Sequence, residues 1–224
     1  MSLIFNWLFD QYKGVATHWI VLEVIGVIFG LLSVFFAKKR NIWVYPTGIA
    51  STVIFVYLLW EFRLFGDMMI NGYYTVMSVY GWVLWAQNSQ DQVHVEVSVM
   101  NSKDWVISLG LALFSLILVT TVYFFKPYIN NSFSMEGVSL GFEFFSLLDG
   151  VDIITTAIFL VGMWLMAQRK IENWIFWIVG DLISVPLYYY KGLKFTSLQY
   201  LIFTIIAYYG YREWRKIYRK NKRI

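Results

Sequence analysis

The sequence predicts an all-α integral membrane protein with seven transmembrane helices. Three observations lead to this prediction: the composition, seven apolar runs that each match a bilayer, and a repeat that relates the first three runs to the last three. Of the 224 residues, 59% are hydrophobic and 14% are charged, whereas a soluble domain has about 45–50% apolar and about 25% charged residues. One run remains between the two sets of three, so the predicted arrangement is 3+1+3.

The chain begins with an amphipathic segment, which we assign to residues 1–18. Leu3, Ile4, Trp7 and Leu8 recur at helical spacing, and polar residues occupy the other faces. A helix with this pattern lies in the plane of the membrane interface. The segment has neither a basic start nor a small-residue cleavage site, so we do not interpret it as a signal peptide.

Seven apolar runs follow, each close to the roughly 20 residues that a membrane-spanning helix needs. The two three-helix repeats occupy residues 19–87 and 151–214, and the run at 105–125 links them. A loop at 88–104 precedes the linking helix, and its alternating Val93, Val95, Val97 and Val99 predict a short hairpin or strand. A second loop covers 126–150. The runs lie at about 19–37, 42–60, 68–86, 105–125, 151–167, 172–190 and 196–213.

The distribution of positive charge predicts the orientation in the membrane. Thirteen of the 18 lysines and arginines fall after the first, third, fifth and seventh runs, on one side of the membrane. By the positive-inside rule that side is the cytoplasm, so the N-terminus lies outside and the C-terminus inside. The tail, residues 215–224, is basic and is expected to lie beside anionic lipid rather than to bind nucleic acid.

The repeat is visible in two places. Ala37 to Trp43 resembles Ala167 to Trp174, because each segment ends a span, forms a basic turn and opens the next span with Asn and Trp. Tyr80-Gly81 likewise matches Tyr209-Gly210 near the end of the third and seventh runs. Three spans and one linking span place both repeats in the same orientation, and ligands of such proteins bind near the membrane midplane between the repeats.

The sixth run carries the strongest signal for a binding site. Trp177, Asp181, Ser184 and Tyr188 follow the spacing of one helical face, and Trp174 lies one turn before them. A carboxylate at membrane depth is costly and is therefore a functional candidate. Aromatic rings beside a carboxylate suit a flat, polar and cationic molecule.

Two other runs supply polar groups that are expected to face this stripe. On the seventh run these are Gln199, Tyr200 and Thr204, next to Phe203; on the third run they are Asn71 and Tyr74, followed by Ser78. The predicted substrate site therefore comprises Asn71, Tyr74, Trp174, Trp177, Asp181, Ser184, Tyr188, Gln199, Tyr200 and Thr204.

Several classes of function are disfavoured. The contexts of Asp152 and Asp181 match neither aspartate motif of the intramembrane aspartyl proteases, and no Gly-x-Ser-x-Gly, P-loop or dinucleotide fingerprint occurs. There is no cysteine, and the two histidines, His18 and His94, form no metal motif. We expect no enzyme activity, no metal and no cofactor.

The sequence also resembles the PnuC family of bacterial vitamin-precursor transporters, from about Glu23 to Trp214. The resemblance rests on Glu23 and Gly26 in the first run, on Val79-Tyr80-Gly81-Trp82, on Glu172-Asn173-Trp174-Ile175-Phe176-Trp177, and on Ser197-Leu198-Gln199-Tyr200 with Thr204. Together these motifs are fairly specific, although each alone is weak.

The resemblance implies a fold akin to the SWEET sugar transporters, in the bacterial inner membrane, and facilitated diffusion of nicotinamide riboside that is trapped by cytoplasmic phosphorylation. It implies that Trp174 and Trp177 frame the ligand, that Asn71 and Gln199 hydrogen-bond it, and that Asp181 departs from an asparagine. It favours a homotrimer. The alternatives are transport of thiamin or riboflavin, and a membrane receptor or sensor of the same topology.

Overall fold

The computed structural model describes residues 14–62, 65–87, 96–190 and 194–221, and these ranges are almost entirely helical. Residues 1–13 of the predicted interfacial helix and residues 88–95 of the first loop lie outside the described residues. A short 3₁₀ turn covers Phe142–Phe144. The α-helices are α1 (Thr17–Lys38), α2 (Val44–Glu61), α3 (Phe65–Gln87), α4 (Ser102–Phe124), α5 (Lys126–Asn130), α6 (Leu147–Ala167), α7 (Asn173–Tyr190) and α8 (Lys194–Asn221).

Four of the described helices, α1, α2, α4 and α6, are long and apolar enough to cross a membrane. The other long helices are more polar: α7 contains Asp181 and Pro186, and α8 continues into a run of basic residues. The protein is thus an all-helical, multi-pass membrane protein, as the composition predicted.

Capping side chains explain where two helices begin. At α4, the Asn101 side chain accepts a hydrogen bond from the Asp104 N–H at 3.0 Å, and the Asp104 carboxylate accepts from the Asn101 N–H at 2.8 Å. Ser146 and Asp149 form the same reciprocal pair at the start of α6. Each capping box satisfies two backbone donors that the helix cannot, so α6 begins four residues before the expected 151.

At the other end of the chain, α8 extends through most of the predicted basic tail to Asn221. Arginine, lysine and glutamate are good helix formers, so the helix continues beyond its apolar part.

The helices pack as two sets of three with α4 beside the second. In the first triplet (α1, α2, α3) and in the second triplet (α6, α7, α8), each helix contacts the next. The triplets meet where α3 packs on α6 and where α1 packs on α8. Helix α4 packs on α6, so it belongs with the second triplet.

The two triplets correspond residue by residue at a constant separation of 129 positions. Arg40 and Arg169 both have a positive φ, 58° and 60°, in the turns after α1 and α6. The start of α3 and of α8, and both ends of α2 and of α7, obey the same separation. Under this register Gly48 corresponds to Trp177.

Two tryptophans join the triplets at the end of the bundle that carries these turns, here called the turn end. The Trp85 indole N–H donates to the Met166 carbonyl at 3.2 Å, and that of Trp214 donates to the Ala37 carbonyl at 3.0 Å. These carbonyls lie in the last turns of α6 and α1, where each also accepts the N–H of Arg169 or Arg40 at 2.9 Å, so the indole bonds the remaining lone pair. Since Trp85 and Trp214 correspond, the two bonds are reciprocal.

Aromatic rings surround this pair. Tyr45 packs edge-on against Trp85 at 5.1 Å, and Trp174 packs edge-on against Trp214 at 5.5 Å. All four rings are at most 1% exposed. We call these four residues the aromatic brace.

The segment before α4 fastens the turn between α6 and α7. Ser98 forms a β-bridge with Lys170, donating to the Arg169 carbonyl at 3.0 Å and accepting from the Ile171 N–H at 2.9 Å. The Met100 N–H bonds the Glu172 carboxylate at 3.0 Å, and Lys170 pairs with Asp104 at 2.9 Å. In the described part of this segment, the predicted hairpin or strand is therefore a single β-bridge.

Two glycines allow the brace to form. A Cβ at Gly81 would lie 2.4 Å from the Tyr45 ring, and one at Gly210 would lie 2.7 Å from the Trp174 ring. Both distances are too short for real atoms, so each position needs a residue without a side chain.

We expect Gly210→Ala to lower the free energy of unfolding by about 1–3 kcal/mol, because the added methyl group overpacks the brace. Gly110→Ala is the matched control, since no atom lies within 4 Å of a Cβ at that position of α4. Thermal unfolding in detergent measures both. Equal melting temperatures for the two variants would contradict the packing described here.

Candidate functional site

A cavity of about 200 Å³ lies between the two triplets. All six helices of the triplets contribute to its lining. Tyr45 and Trp174 of the aromatic brace are part of that lining, so the brace borders the cavity at the turn end. We call this space the central cavity.

The wall from the second triplet is aromatic. The Phe159 ring stacks on Trp177 at 5.5 Å and 29°, and on Tyr200 at 6.0 Å and 16°. Tyr188 extends the stack behind Tyr200, at 5.0 Å and 15°. The stack presents flat apolar faces suited to a planar ring system.

Gly180 makes room for this stack. A Cβ at Gly180 would lie 2.3 Å from the Phe159 ring, so no larger residue fits while the ring holds this position. The next residue along α7 is Asp181, which also lines the cavity. The same stretch of α7 thus admits the ring and supplies the carboxylate.

Asp181 is the one charged side chain among the described residues that line the central cavity. It is 2% exposed, and no described residue forms a hydrogen bond or an ion pair with its carboxylate. No lysine, arginine or histidine lies in the described lining. A buried carboxylate without a partner is costly, so the cavity favours a ligand that carries positive charge or hydrogen-bond donors.

The wall from the first triplet is different. Around Gly48 it carries glycines and small hydroxyl side chains, among them Gly30, Gly48, Ser33, Ser51 and Ser78. A Cβ at Gly48 would lie 3.0 Å from the Ser33 Oγ and 3.6 Å from the Ser78 Oγ, so hydroxyls from α1 and α3 meet at this point of α2. This part of the wall offers hydrogen-bonding groups and little bulk. The rest of the first-triplet lining is apolar or aromatic: Val34, Ala37, Val44, Tyr45 and Tyr74.

Five of the ten residues predicted for the substrate site line the central cavity: Tyr74, Trp174, Trp177, Asp181 and Tyr200. The other five lie elsewhere. Tyr188 is behind Tyr200, and Ser184 is 1% exposed with its hydroxyl unpartnered among the described residues. The Thr204 hydroxyl donates to the Tyr200 carbonyl within α8. Asn71 and Gln199 are half-buried and are not part of the lining.

Phe159 is the main lining residue that sequence reasoning missed. It lies in an apolar span among other large apolar residues, where a single phenylalanine carries no distinguishing signal. The repeat register would have revealed it, because its counterpart is Gly30. A glycine and a phenylalanine at equivalent positions indicate that the two walls differ there.

No group of three or more potential metal-ligating residues occurs in the part of the chain that the structure describes. Asp152, the other carboxylate considered in the sequence, accepts a hydrogen bond from the Tyr123 hydroxyl at 2.6 Å and does not line the cavity.

Comparison with known proteins yields one consistent group. The family model described as nicotinamide mononucleotide transporter matches residues 20–216. The nicotinamide riboside transporter PnuC of Escherichia coli (strain K12) is 26% identical over 215 residues, which are 90% of this chain and 87% of that protein. The PnuC of Neisseria mucosa is 24% identical over 212 residues, covering 89% of this chain and 74% of that protein.

A second transporter and a crystal structure are also similar to this chain. The riboflavin/roseoflavin transporter RibM of Streptomyces davaonensis is 24% identical over 216 residues, covering 96% of this chain and 92% of that protein. A crystal structure of the vitamin B3 transporter PnuC superposes with a TM-score of 0.65 at 21% identity, covering 89% of this chain and 82% of that one. The fold is therefore shared, and the resemblance to PnuC proteins is confirmed.

The unpartnered state of Asp181 has a consequence for stability. We expect Asp181→Asn to leave the free energy of unfolding unchanged or to raise it, because no described group stabilises the carboxylate. Asp104→Asn should instead lower it by about 1–2 kcal/mol, since Asp104 bonds Lys170 and the Asn101 N–H. Thermal unfolding without ligand compares the two; an equal loss in Asp181→Asn would indicate a structural partner for Asp181.

Proposed function

Because this chain belongs to the nicotinamide mononucleotide transporter family, we propose that it carries nicotinamide riboside across the bacterial inner membrane by facilitated diffusion. It is a membrane transporter, not an enzyme. The observation that supports this substrate is the pairing of an aromatic stack with one unpartnered carboxylate in the central cavity. The relatives named PnuC transport nicotinamide riboside.

The chemistry of the cavity fits a pyridinium ring. Such a ring is flat and permanently positive, so it stacks on Trp177, at the end of the aromatic stack, and gains from the negative face of that ring. Asp181 supplies the opposite charge. Ligand and carboxylate each lose water on binding, and their attraction in a low-dielectric site offsets that loss.

The lining favours a nucleoside over a nucleotide. A phosphate group needs arginine, lysine or several backbone N–H groups, and no basic side chain is present in the described lining. Asp181 would also repel a phosphate. We therefore propose the riboside, and not the mononucleotide of the family description, as the substrate.

The same reasoning supports the proposal that the transported riboside is trapped in the cytoplasm. Phosphorylation of the riboside in the cytoplasm would add negative charge that the cavity does not accommodate. The product then cannot return through the same site, and net uptake needs no coupling ion.

We further propose that all seven long helices cross the membrane in a 3+1+3, SWEET-like arrangement, with the N-terminus outside and the turn end in the cytoplasm. The constant separation of 129 residues between the triplets supports this, as does the position of α4 beside the second triplet. Lys38, Lys39, Arg40, Arg169 and Lys170 all lie at the turn end, consistent with the positive-inside rule. The family resemblance adds a homotrimer to the proposal.

Riboflavin is the second candidate, because the relative RibM is a riboflavin/roseoflavin transporter. Its ring system is wider than a pyridine and uncharged, so it would leave the Asp181 carboxylate without a counter-charge. Thiamin is positively charged like nicotinamide riboside, so the charge of the cavity does not distinguish the two. Competition for uptake distinguishes them.

Uptake of labelled nicotinamide riboside into proteoliposomes tests the function. We expect saturable uptake that stops when the internal and external concentrations are equal, with competition by unlabelled riboside but not by the mononucleotide. Riboflavin or thiamin competing more strongly than the riboside would reassign the substrate. Binding without flux would make the protein a receptor or sensor.

Replacing Trp177 tests the stacking wall. We expect Trp177→Ala to weaken nicotinamide riboside binding about tenfold or more, because one stacked ring on a cation contributes about 1–2 kcal/mol. Trp105→Ala is the control, since Trp105 is 56% exposed on α4 and lies outside the cavity. Calorimetry in detergent measures both, and unchanged affinity in Trp177→Ala would refute the stacking proposal.

A further inference from the structure

We infer that the first-triplet wall of the central cavity binds the sugar of the ligand, and that Ser78 is a specificity-determining residue there. The inference rests on the proposed function, because it assigns the second half of a ligand whose ring lies on the second triplet. Ser78 is not among the ten residues predicted for the site, and it lies in none of the family motifs.

The register of the two triplets shows why the ring and the sugar need different walls. The stacking residues Phe159 and Trp177 correspond to Gly30 and Gly48. The first wall therefore has no ring at either place where the second wall has one. A ligand with one flat end and one polar end can therefore place its polar end against the hydroxyls around Gly48, where the first wall leaves room for it.

Ser78 has the properties expected of a residue that hydrogen-bonds a ligand. It is 2% exposed, it lines the central cavity, and no described residue hydrogen-bonds its hydroxyl. A hydroxyl that bonds no other residue adds little to the stability of the empty protein and remains available to a ligand. At the corresponding position the second triplet has Ala207, which is 1% exposed, so the fold itself accepts alanine there.

The neighbouring hydroxyls already donate their hydrogen bonds to backbone carbonyls. The Ser33 Oγ donates to the Val44 carbonyl at 2.7 Å, and the Ser51 Oγ donates to the Gly26 carbonyl at 2.8 Å. Each hydroxyl has one hydrogen, so only the lone pairs of these oxygens remain for a ligand. Sugar hydroxyls can donate to those lone pairs, and Ser78 can either donate or accept.

The consequence is selection for a ribosylated ring. A ligand of this kind spans the cavity, with its ring on the second triplet and its sugar on the first. A base without the sugar contacts one wall only. It leaves Ser78 without a partner, and the lone pairs of Ser33 and Ser51 without donors.

A cycle of ligand and protein variants tests the assignment. Calorimetry measures the affinity of nicotinamide riboside and of its 2′-, 3′- and 5′-deoxy analogues for the wild type and for Ser78→Ala. We expect Ser78→Ala to weaken riboside binding about fivefold, the loss that corresponds to one hydrogen bond. For the analogue that lacks the contacted hydroxyl, the same substitution should cause no further loss.

Ser115→Ala is the matched control. Ser115 is fully buried on α4, its hydroxyl is unpartnered among the described residues, and it does not line the central cavity. The control should bind all four ligands like the wild type, and both serine variants should unfold at the wild-type temperature or above it.

Three results would overturn the inference. The first is unchanged riboside affinity in Ser78→Ala, and the second is additive losses for all three deoxy analogues. The third is a melting temperature of Ser78→Ala well below that of Ser115→Ala, which would mark a structural role. If the wild type binds no riboside at all, the proposed function falls as well.

Discussion

The reciprocal hydrogen bonds of Trp85 and Trp214 are the interaction on which the rest of the structure depends. Each indole N–H satisfies a carbonyl in the last turn of a helix from the other triplet. The bonds fix how the triplets meet, and the rings of Tyr45 and Trp174 that pack against the two indoles line the central cavity at the turn end. Gly81 and Gly210 are glycines because these rings occupy the space of a Cβ.

A nearly symmetric scaffold thus encloses an asymmetric site. The brace uses equivalent residues from both triplets, whereas the cavity wall has Gly30 and Gly48 in one triplet where the other has the rings of Phe159 and Trp177. Thr52 and Asp181 are also equivalent, so the negative charge lies on one side only. An asymmetric ligand requires this difference, because identical walls would bind its ring and its sugar equally well.

The sequence predicted the helices and the stripe on α7 because both follow from periodicity. Trp177 and Asp181 share a helical face, and that face is turned toward the cavity. Asn71 and Gln199 show the limit of this reasoning, since polarity alone does not reveal which way a helix is rotated against its neighbours. The sequence motifs placed the register of the turns wrong by one or two residues, because Asn and Trp occur near both turns. The positive φ of Arg40 and Arg169 is what defines the equivalence.

The contacts around the two turns differ in a way that bears on how the cavity opens. Ser98, Met100 and Asp104 all bond the turn between α6 and α7, so that turn is fastened to the segment leading into α4. These bonds lie within the unit formed by α4 and the second triplet, whereas those of Trp85 and Trp214 run between the triplets. A separation of the triplets at the turn end would break the tryptophan bonds but none of the bonds to Ser98, Met100 and Asp104. The ring-bearing wall can therefore remain intact while the first triplet moves away from it.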